Sequence, residues 1–266
     1  KNNFAYLSGM GADAVFRMTT ANGAITAVGS ATNNFINLRV DANDKVIRTP
    51  IGVAVAHTAG LFAFSLSDGK REVQAIDLGT QSLLSGTASS ALPAAGTQPD
   101  KVLRGKRFFN TGLARWSLAG EAWGSCAACH TDGLTDNVTW YFARGPRQSV
   151  SLDGSFNSAD GTDQRIFNWT GIFDEVADFE GNVRGVSGGV GAIVSANSSP
   201  PVNADRIDTA TPDLPAGTPP QQGLQGSSAD TADIAGVGPH VHGILADWAE
   251  VTEYIKSIRS PRRASN

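Results

Sequence analysis

The run Cys126-Ala127-Ala128-Cys129-His130 is the most specific pattern in this chain of 266 residues. Two cysteines separated by two residues and followed directly by a histidine form the C-x-x-C-H pattern of c-type haem attachment. In that chemistry the two thiols add across the haem vinyl groups, and the histidine supplies the proximal imidazole to the iron. The run therefore predicts one covalent haem c, bound through Cys126 and Cys129 and ligated by His130.

Two other interpretations of the cysteine pair fit less well. A thioredoxin-like C-x-x-C site lies between a hydrophobic strand and a helix, whereas this pair lies between Trp123-Gly124-Ser125 and Thr131-Asp132-Gly133. A structural zinc site needs four ligands at short spacing. The chain has only two cysteines, and the next histidine after the motif is His240. Haem attachment is the interpretation that uses all three residues of the motif.

Composition excludes several kinds of partner. The formal net charge is −4, which argues against nucleic acid as a partner. No stretch approaches 18 continuous apolar residues, so no membrane span is predicted.

Because covalent haem is attached outside the cytoplasm, the motif predicts a periplasmic or extracellular location. The chain begins at Lys1 without a signal segment, so we expect that a leader has been removed.

Residues 1–92 are predicted to form a β segment. Short strands at 50–56, 61–65 and 72–78 are separated by turn residues, which is typical of antiparallel sheets. An internal repeat supports this: 4–6 matches 62–64, and 13–18 matches 71–76, both at an offset of 58 positions. A repeat of this length indicates an array or a propeller.

The segment resembles the Tyr-Val-Thr-Asn type of β-propeller blade, in the entry strand after Pro50, the aromatic strand Phe62-Ala63-Phe64 and the final Ile76-Asp77-Leu78. About one and a half to two blades are present, whereas a propeller closes with about 4 to 8. We therefore expect either a fragment of a longer protein or assembly with another chain through the β edges. A small sandwich or meander that caps the haem domain is the alternative.

The second part of the chain is predicted to be helical at both ends. After a linker at 93–99, Asp100 is expected to begin a helix that contains Phe108 and Phe109 and ends at Gly112. A second helix is predicted between a capping box at Asp247 and the stop at Pro261. In cytochromes c two such helices cross beside the haem motif. Residues 100–266 are therefore predicted to be a mono-haem cytochrome c domain, mostly α with long loops.

Residues 101–194 resemble the cytochrome domain of the bacterial di-haem cytochrome c peroxidase superfamily, in particular members fused behind propeller repeats. The similarity is carried by 105–109, 123–136, 144–147, Trp169, 174–175 and 178–179. Family members usually carry two haems, but this chain has a single C-x-x-C-H run. The di-haem mechanism is therefore not carried over, and no catalytic residue is predicted.

Three residues after the motif are predicted to contact the haem. Buried propionates need charge-assisted donors, and Arg144 and Arg147 are the nearest basic pair after the motif. Pro146 resembles the proline whose loop packs against the proximal histidine, where a backbone carbonyl would accept the Nδ1 proton of His130. The alternative is that both arginines are surface charges.

The sixth iron ligand is predicted by elimination. No methionine follows Met18, so His240 and His242, just before the last helix, are the metal-ligand candidates beside His130. Met10 and an open site are the alternatives, while His57 is expected to be a surface residue. Two imidazoles would give a comparatively low potential, because thioether ligation is what raises it.

These observations predict an electron-transfer c-type cytochrome whose partner is a redox protein or another haem chain. The first alternative is a peroxidase-like haem enzyme with an open distal site, forming part of a longer di-haem protein. The second is a binding or assembly module in which the haem is one relay among several. A fully low-spin ferric haem would favour electron transfer, and a high-spin haem that reacts with peroxide would favour the enzyme.

Overall fold

The computed structural model describes 3–29, 35–40, 46–56, 60–112, 124–142, 145–165, 167–171, 193–195, 242–244 and 246–260, together with Val176, Phe179 and Val186. The first sheet is antiparallel, with β2 between β1 on one side and β3 and β4 on the other. Its strands are β1 (Phe4–Gly9), β2 (Ala14–Ala21), β3 (Ala24–Val28) and β4 (Ile36–Asn37). A short 3-10 turn, Met10–Ala12, joins β1 to β2.

The second sheet is a four-stranded antiparallel meander. Its strands, in spatial order, are β5 (Pro50–Val55), β6 (Phe62–Ser67), β7 (Glu72–Asp77) and β8 (Ser82–Ala88). The two sheets share a core of buried side chains: Val15, Ile36, Leu38, Ala63 and Ile76. The Gln74 side-chain amide donates to the Leu38 carbonyl at 2.7 Å, which satisfies a buried polar group between the sheets.

Two strands of each sheet begin at the offset of the sequence repeat. β6 begins 58 positions after β1, and β7 begins 58 positions after β2. Asp13 and Arg71, one residue before β2 and β7 respectively, both have left-handed backbones, with φ of 48° and 52°. The same chain reversal therefore precedes the same strand in both sheets.

The turn at Asp13 is held by its buried carboxylate. Its oxygens accept hydrogen bonds from the backbone N–H of Arg48 at 3.0 Å and of Thr49 at 2.9 Å. Burial raises the pKa of Asp13, and these two backbone donors oppose that shift. The carboxylate thus joins the first repeat to the chain that leads into β5.

We expect Asp13→Ala to lower the free energy of unfolding by about 2 to 4 kcal/mol, because it leaves two buried N–H groups without an acceptor. Chemical denaturation followed by circular dichroism measures the effect. Asp77→Ala is the matched control, since Asp77 also accepts two backbone bonds, from Gly79 and Thr80, but on an exposed turn where water can replace it. Equal losses in the two variants would contradict the role of Asp13.

Two helices lie at the ends of the second part of the chain, as predicted: α1 (Gln98–Asn110) and α3 (Ala246–Ser257). A single helical turn, α2 (Cys126–Cys129), lies between them in sequence. α1 and α3 cross where Gly105 faces the backbone carbonyl of Glu250 and the Cβ of Tyr254. Beside the crossing, the Arg104 guanidinium donates to the Glu250 carboxylate at 2.7 Å. The absence of a side chain at Gly105 allows this close approach.

The predicted fold class is wrong. The described residues form a mostly β structure with four antiparallel sheets, instead of incomplete propeller blades followed by a mostly α cytochrome c domain. Two short hairpins supply the remaining strands: β9 (Trp140–Phe142) with β10 (Gly145–Arg147), and β11 (Ile193–Ser195) with β12 (His242–Ile244). Of the α-helices whose bounds the structure describes, α1 and α3 are long and α2 is a single turn.

Two physical reasons account for this difference. Residues 148–165 are rich in Ser, Asp, Asn and Gly, whose side chains and backbones favour turns over helix. The two repeat sheets pack against each other without closing a ring, for which about four blades are the minimum. The apolar pattern located individual elements but did not determine how much of the chain between them is helical.

The β segment and the helices make direct contacts. The Arg107 side chain donates to the Gly69 carbonyl at 2.6 Å, and Lys106 pairs with Asp68 at 2.7 Å. Ile47 of the β segment is part of the core that α1 and α3 share. The domain boundaries at 92 and 100 stay a prediction. No helix within the described ranges has the length and hydropathy that a membrane crossing requires.

Candidate functional site

The cysteine pair occupies α2, a single helical turn. The backbone N–H of His130 closes this turn on the Cys126 carbonyl at 2.9 Å. Both cysteines are free thiols, and both are partly buried. Ala127 is buried in the core shared with Phe108, Phe109 and the aromatic face of α3, whereas Ala128 is exposed. Of the two alanines between the cysteines, Ala127 therefore packs in the core and Ala128 faces solvent.

The His130 imidazole is oriented by backbone carbonyls. Its Nδ1 lies 2.9 Å from the Val150 carbonyl and 3.3 Å from the Leu134 carbonyl. Because a carbonyl can only accept, Nδ1 carries the proton in the neutral ring, and Nε2 keeps its lone pair. A metal-binding histidine typically has this arrangement, with the second nitrogen donating to a carbonyl. The Phe109 ring lies 6.4 Å from the imidazole, between their centroids.

Burial controls the protonation of all three residues of the motif. It lowers the pKa of His130, although the Leu134 and Val150 carbonyls oppose the shift, so the neutral ring is favoured. It raises the pKa of Cys126 to about 12 and also raises that of Cys129. The folded chain therefore holds two protonated thiols, and a thiol is far less nucleophilic than a thiolate.

The chain after the motif folds back onto it through a hydrogen-bond network. The Ser149 hydroxyl donates to the Cys129 carbonyl at 2.8 Å and lies 3.1 Å from an Asp136 carboxylate oxygen. The Trp140 indole N–H donates to the other Asp136 oxygen at 2.7 Å. Burial alone would raise the pKa of Asp136, but the Val138 N–H, together with Trp140 and Ser149, outweighs this effect and lowers the pKa. The network fixes the loop that presents the Val150 carbonyl.

Gly133 links the motif to the last helix. Its carbonyl accepts from the Leu152 N–H at 2.9 Å. A Cβ at this position would meet the Ile258 side chain at 2.6 Å, and φ is +76°. A side chain at position 133 would therefore be strained both by the backbone and by the packing.

The other predicted site residues do not gather around the imidazole in the part of the chain that the structure describes. Pro146 and Arg147 lie on β10, paired with Tyr141 and Trp140, and both are exposed. The carbonyl that faces His130 Nδ1 belongs to Val150, four residues after Pro146. The contact of a backbone carbonyl with Nδ1 was predicted, but its position was not.

The remaining candidates concern the sixth ligand and the propionates. Arg144, His240 and His57 lie outside the described residues. The backbone of His242 lies on β12, opposite Ser195. Met10 is partly buried against the core that also contacts Cys126. Ligation by His240 or His242 stays a prediction, with Met10 or an open site as its alternatives.

Sequence reasoning missed Val150, Asp136 and Ser149. Val150 acts through its main chain, so no side-chain pattern could reveal it. Asp136 and Ser149 occur in a polar, turn-rich stretch where such residues are common, and only the fold shows that they bond to each other. The spacing of the cysteines carried all of the signal that the sequence offered.

The donor set fits a covalent haem. Two thiols on one helical turn and an imidazole with a free Nε2 are the groups that attachment and proximal ligation need. Among the described residues, no three His, Cys, Asp or Glu side chains gather as they would around a metal ion held by the protein alone. Cys126, Cys129 and His130 are therefore the residues that would hold the group.

Comparison with family models, with curated protein sequences and with solved structures gave no match. A function for this chain therefore rests on its residues and their geometry.

Proposed function

We propose that this protein is an electron-transfer protein that carries one covalent haem c in an exported compartment. The observation that carries the proposal is the His130 imidazole, which directly follows the two thiols of α2 and is oriented by the Val150 carbonyl at 2.9 Å. Haem supplies one-electron chemistry, since its iron cycles between two oxidation states. Its partner is a redox protein or another haem chain.

The chain contributes anchoring, orientation and a low-dielectric surrounding. Cys126 and Cys129 anchor the group, and the Val150 carbonyl fixes the tautomer of His130 so that Nε2 keeps its lone pair for the iron. The Phe109 ring lies beside the imidazole and is itself held by edge-to-face packing against Tyr254. A rigid support of this kind keeps the reorganisation energy of electron transfer small, because the position of the ligand then changes little between the two oxidation states.

The test is production of the chain in a host that attaches c-type haem, followed by intact mass under denaturing conditions. We expect one haem mass on the unfolded chain and no release of haem on acid–acetone extraction. The matched control is the variant Cys126→Ser/Cys129→Ser, in which any haem that is bound should be extracted. Release of the haem from the wild-type chain would overturn the proposal.

The ferric spin state then separates electron transfer from peroxidase chemistry. A six-coordinate, low-spin ferric iron that does not react with peroxide is the result expected of an electron carrier. A high-spin fraction that reacts with peroxide would replace the proposed function by that of a haem enzyme. Alanine variants of His240, His242 and Met10, measured in the same way, would identify the residue whose loss raises the high-spin fraction.

A further inference from the structure

The two sheets of the β segment present equivalent faces in different environments. We call the side of each sheet that carries Tyr6 and Val15, or their repeat equivalents Phe64 and Val73, its front face; the opposite side is its back face. In an antiparallel pair, the side chains of directly opposite residues point to the same side of the sheet. The register pairs Leu66 with Val73 and Leu7 with Phe16. The assignment of each side chain to a face follows from this register.

Within the molecule, the front face of the first sheet packs against the back face of the second. Tyr6, Val15 and Ile36 on the front face meet Ala63 and Ile76 on the back face in one core. Val15 is completely buried there, as are Ala63 and Ile76. The contact is heterologous, because two different faces of the repeat meet.

The front face of the second sheet has no such cover in the described structure. Phe64 is 45% exposed, although its equivalent Tyr6 packs in the core, and Val73 is 37% exposed, although its equivalent Val15 is buried. Phe62 and Leu66 extend the same apolar row along β6 and are also exposed. Contiguous apolar patches of this kind mark interaction surfaces.

The back face of the first sheet is uncovered over the part that carries Leu7, whereas Ala14 at one end of this face is buried. Leu7 is 54% exposed, whereas its repeat equivalent Ser65 is completely buried on the back face of the second sheet. Val28 pairs with Met18 on this face, and Phe35 contacts Phe16 with ring centroids 6.1 Å apart. Val28 and Phe35 are both exposed. Among the described residues, one front face and one back face are therefore exposed, the same two kinds of surface that pack together between the sheets.

We propose that the uncovered front face of the second sheet binds the uncovered back face of the first sheet of a second copy of this chain. The contact between the two sheets within one molecule is the template for this association. There, the back face of the second sheet covers Tyr6 and Val15 of the first. The back face that remains exposed belongs to the first sheet, and it is the surface that can cover Phe64 and Val73 of another copy. The one charged side chain that the register places beside this apolar row is Asp77, opposite Phe62 at the end of the front face. Its carboxylate accepts hydrogen bonds from the Gly79 and Thr80 N–H groups, so it keeps partners of its own when the face is covered. The copies associate head to tail.

The test is sedimentation velocity of the full chain over a series of concentrations. The wild type is expected to form dimers and larger species as its concentration rises, since each copy keeps one free face of each kind. Phe64→Asp removes the front surface and Leu7→Asp removes the back surface, and each variant alone is expected to be monomeric. An equimolar mixture of the two is expected to form a 1:1 dimer and nothing larger, because one intact front face meets one intact back face.

The outcomes separate this contact from the alternatives. A wild type that stays monomeric at every concentration would overturn the proposal. Dimers of Leu7→Asp alone would indicate a front-to-front contact, and dimers of Phe64→Asp alone a back-to-back contact; either result would also overturn it. Leu92→Asp, which changes an exposed apolar residue outside both faces, is the matched control and should associate as the wild type does.

Folding of the variants is checked by thermal unfolding, which is expected to be unchanged because the replaced side chains are about half exposed. Leu66→Lys and Val28→Lys form a second pair with the same expected pattern, in case an aspartate disturbs its strand. The haem plays no part in the contact, so the haem-attached chain and the cysteine variant should associate equally.

Discussion

Replacement of His130 by glycine is expected to change the ferric iron from low-spin to high-spin while the haem stays covalently attached. Cys126 and Cys129 keep the anchor, but the imidazole that the Val150 carbonyl orients is gone. Removal of a strong axial nitrogen ligand lowers the ligand field at the iron. The optical spectrum measures the change, and intact mass shows that attachment persists.

Added imidazole is expected to restore the low-spin spectrum of His130→Gly, since the deleted ring leaves a space of its own shape beside Phe109. His57→Gly is the control: His57 is not among the candidate ligands, so this variant should keep the wild-type spectrum. If His130→Gly kept the wild-type spectrum, the proximal ligand would be another residue, and the proposed site would be incorrect even with the haem attached.

The second large effect is expected at the helix crossing. Gly105→Ala should destabilise the protein by about 3 kcal/mol or more, at the upper end of the range for overpacked sites. The new Cβ would overlap the Glu250 carbonyl and approach the Tyr254 Cβ to 2.9 Å. A backbone carbonyl cannot rotate away as a side chain can, so α1 and α3 must separate. Alanine favours helix over glycine by about 1 kcal/mol, which offsets only part of this loss.

Denaturant unfolding measures this loss of stability. Gly154→Ala is the matched control, because a Cβ at Gly154 would meet no atom within 4 Å. The control should unfold near the wild-type midpoint, and Gly105→Ala far below it. Midpoints that coincide for the two variants would show that the helices can separate at little cost in free energy.

The sequence was informative where a short local pattern is enough to predict a structural element or a chemistry. The left-handed residues at Asp13 and Arg71 and the strands that follow them repeat at the offset read from the sequence. Apolar spacing located α1 and α3, because a helix buries one face whatever it packs against. The C-x-x-C-H run similarly predicts its chemistry without reference to the remainder of the chain.

The sequence was not informative where the role of a residue depends on which distant residue it contacts in the fold. Gly105 in a helix is only a weak helix former until Glu250 is placed against it. The Val150 carbonyl has no signature in the side chains, and Pro146 was the wrong choice for that contact. The prediction of a mostly α domain rests on its two helices and on the family resemblance. It overestimates the helical content, because the turn-rich stretch between the helices has residues that favour hairpins and loops.

The pairing of α1 with α3 also has a consequence for the order of folding. Arg104 and Glu250 bond across 146 positions of sequence, whereas each hairpin of the two repeat sheets joins neighbouring segments. Contacts between distant segments form slowly, because the loop must close before any contact compensates its entropy. As the chain emerges from its N-terminus, the sheets can form while α3 is still missing. We therefore expect the core behind His130 to be completed last, which, under the proposed function, would leave the thiols of α2 accessible for haem attachment until then.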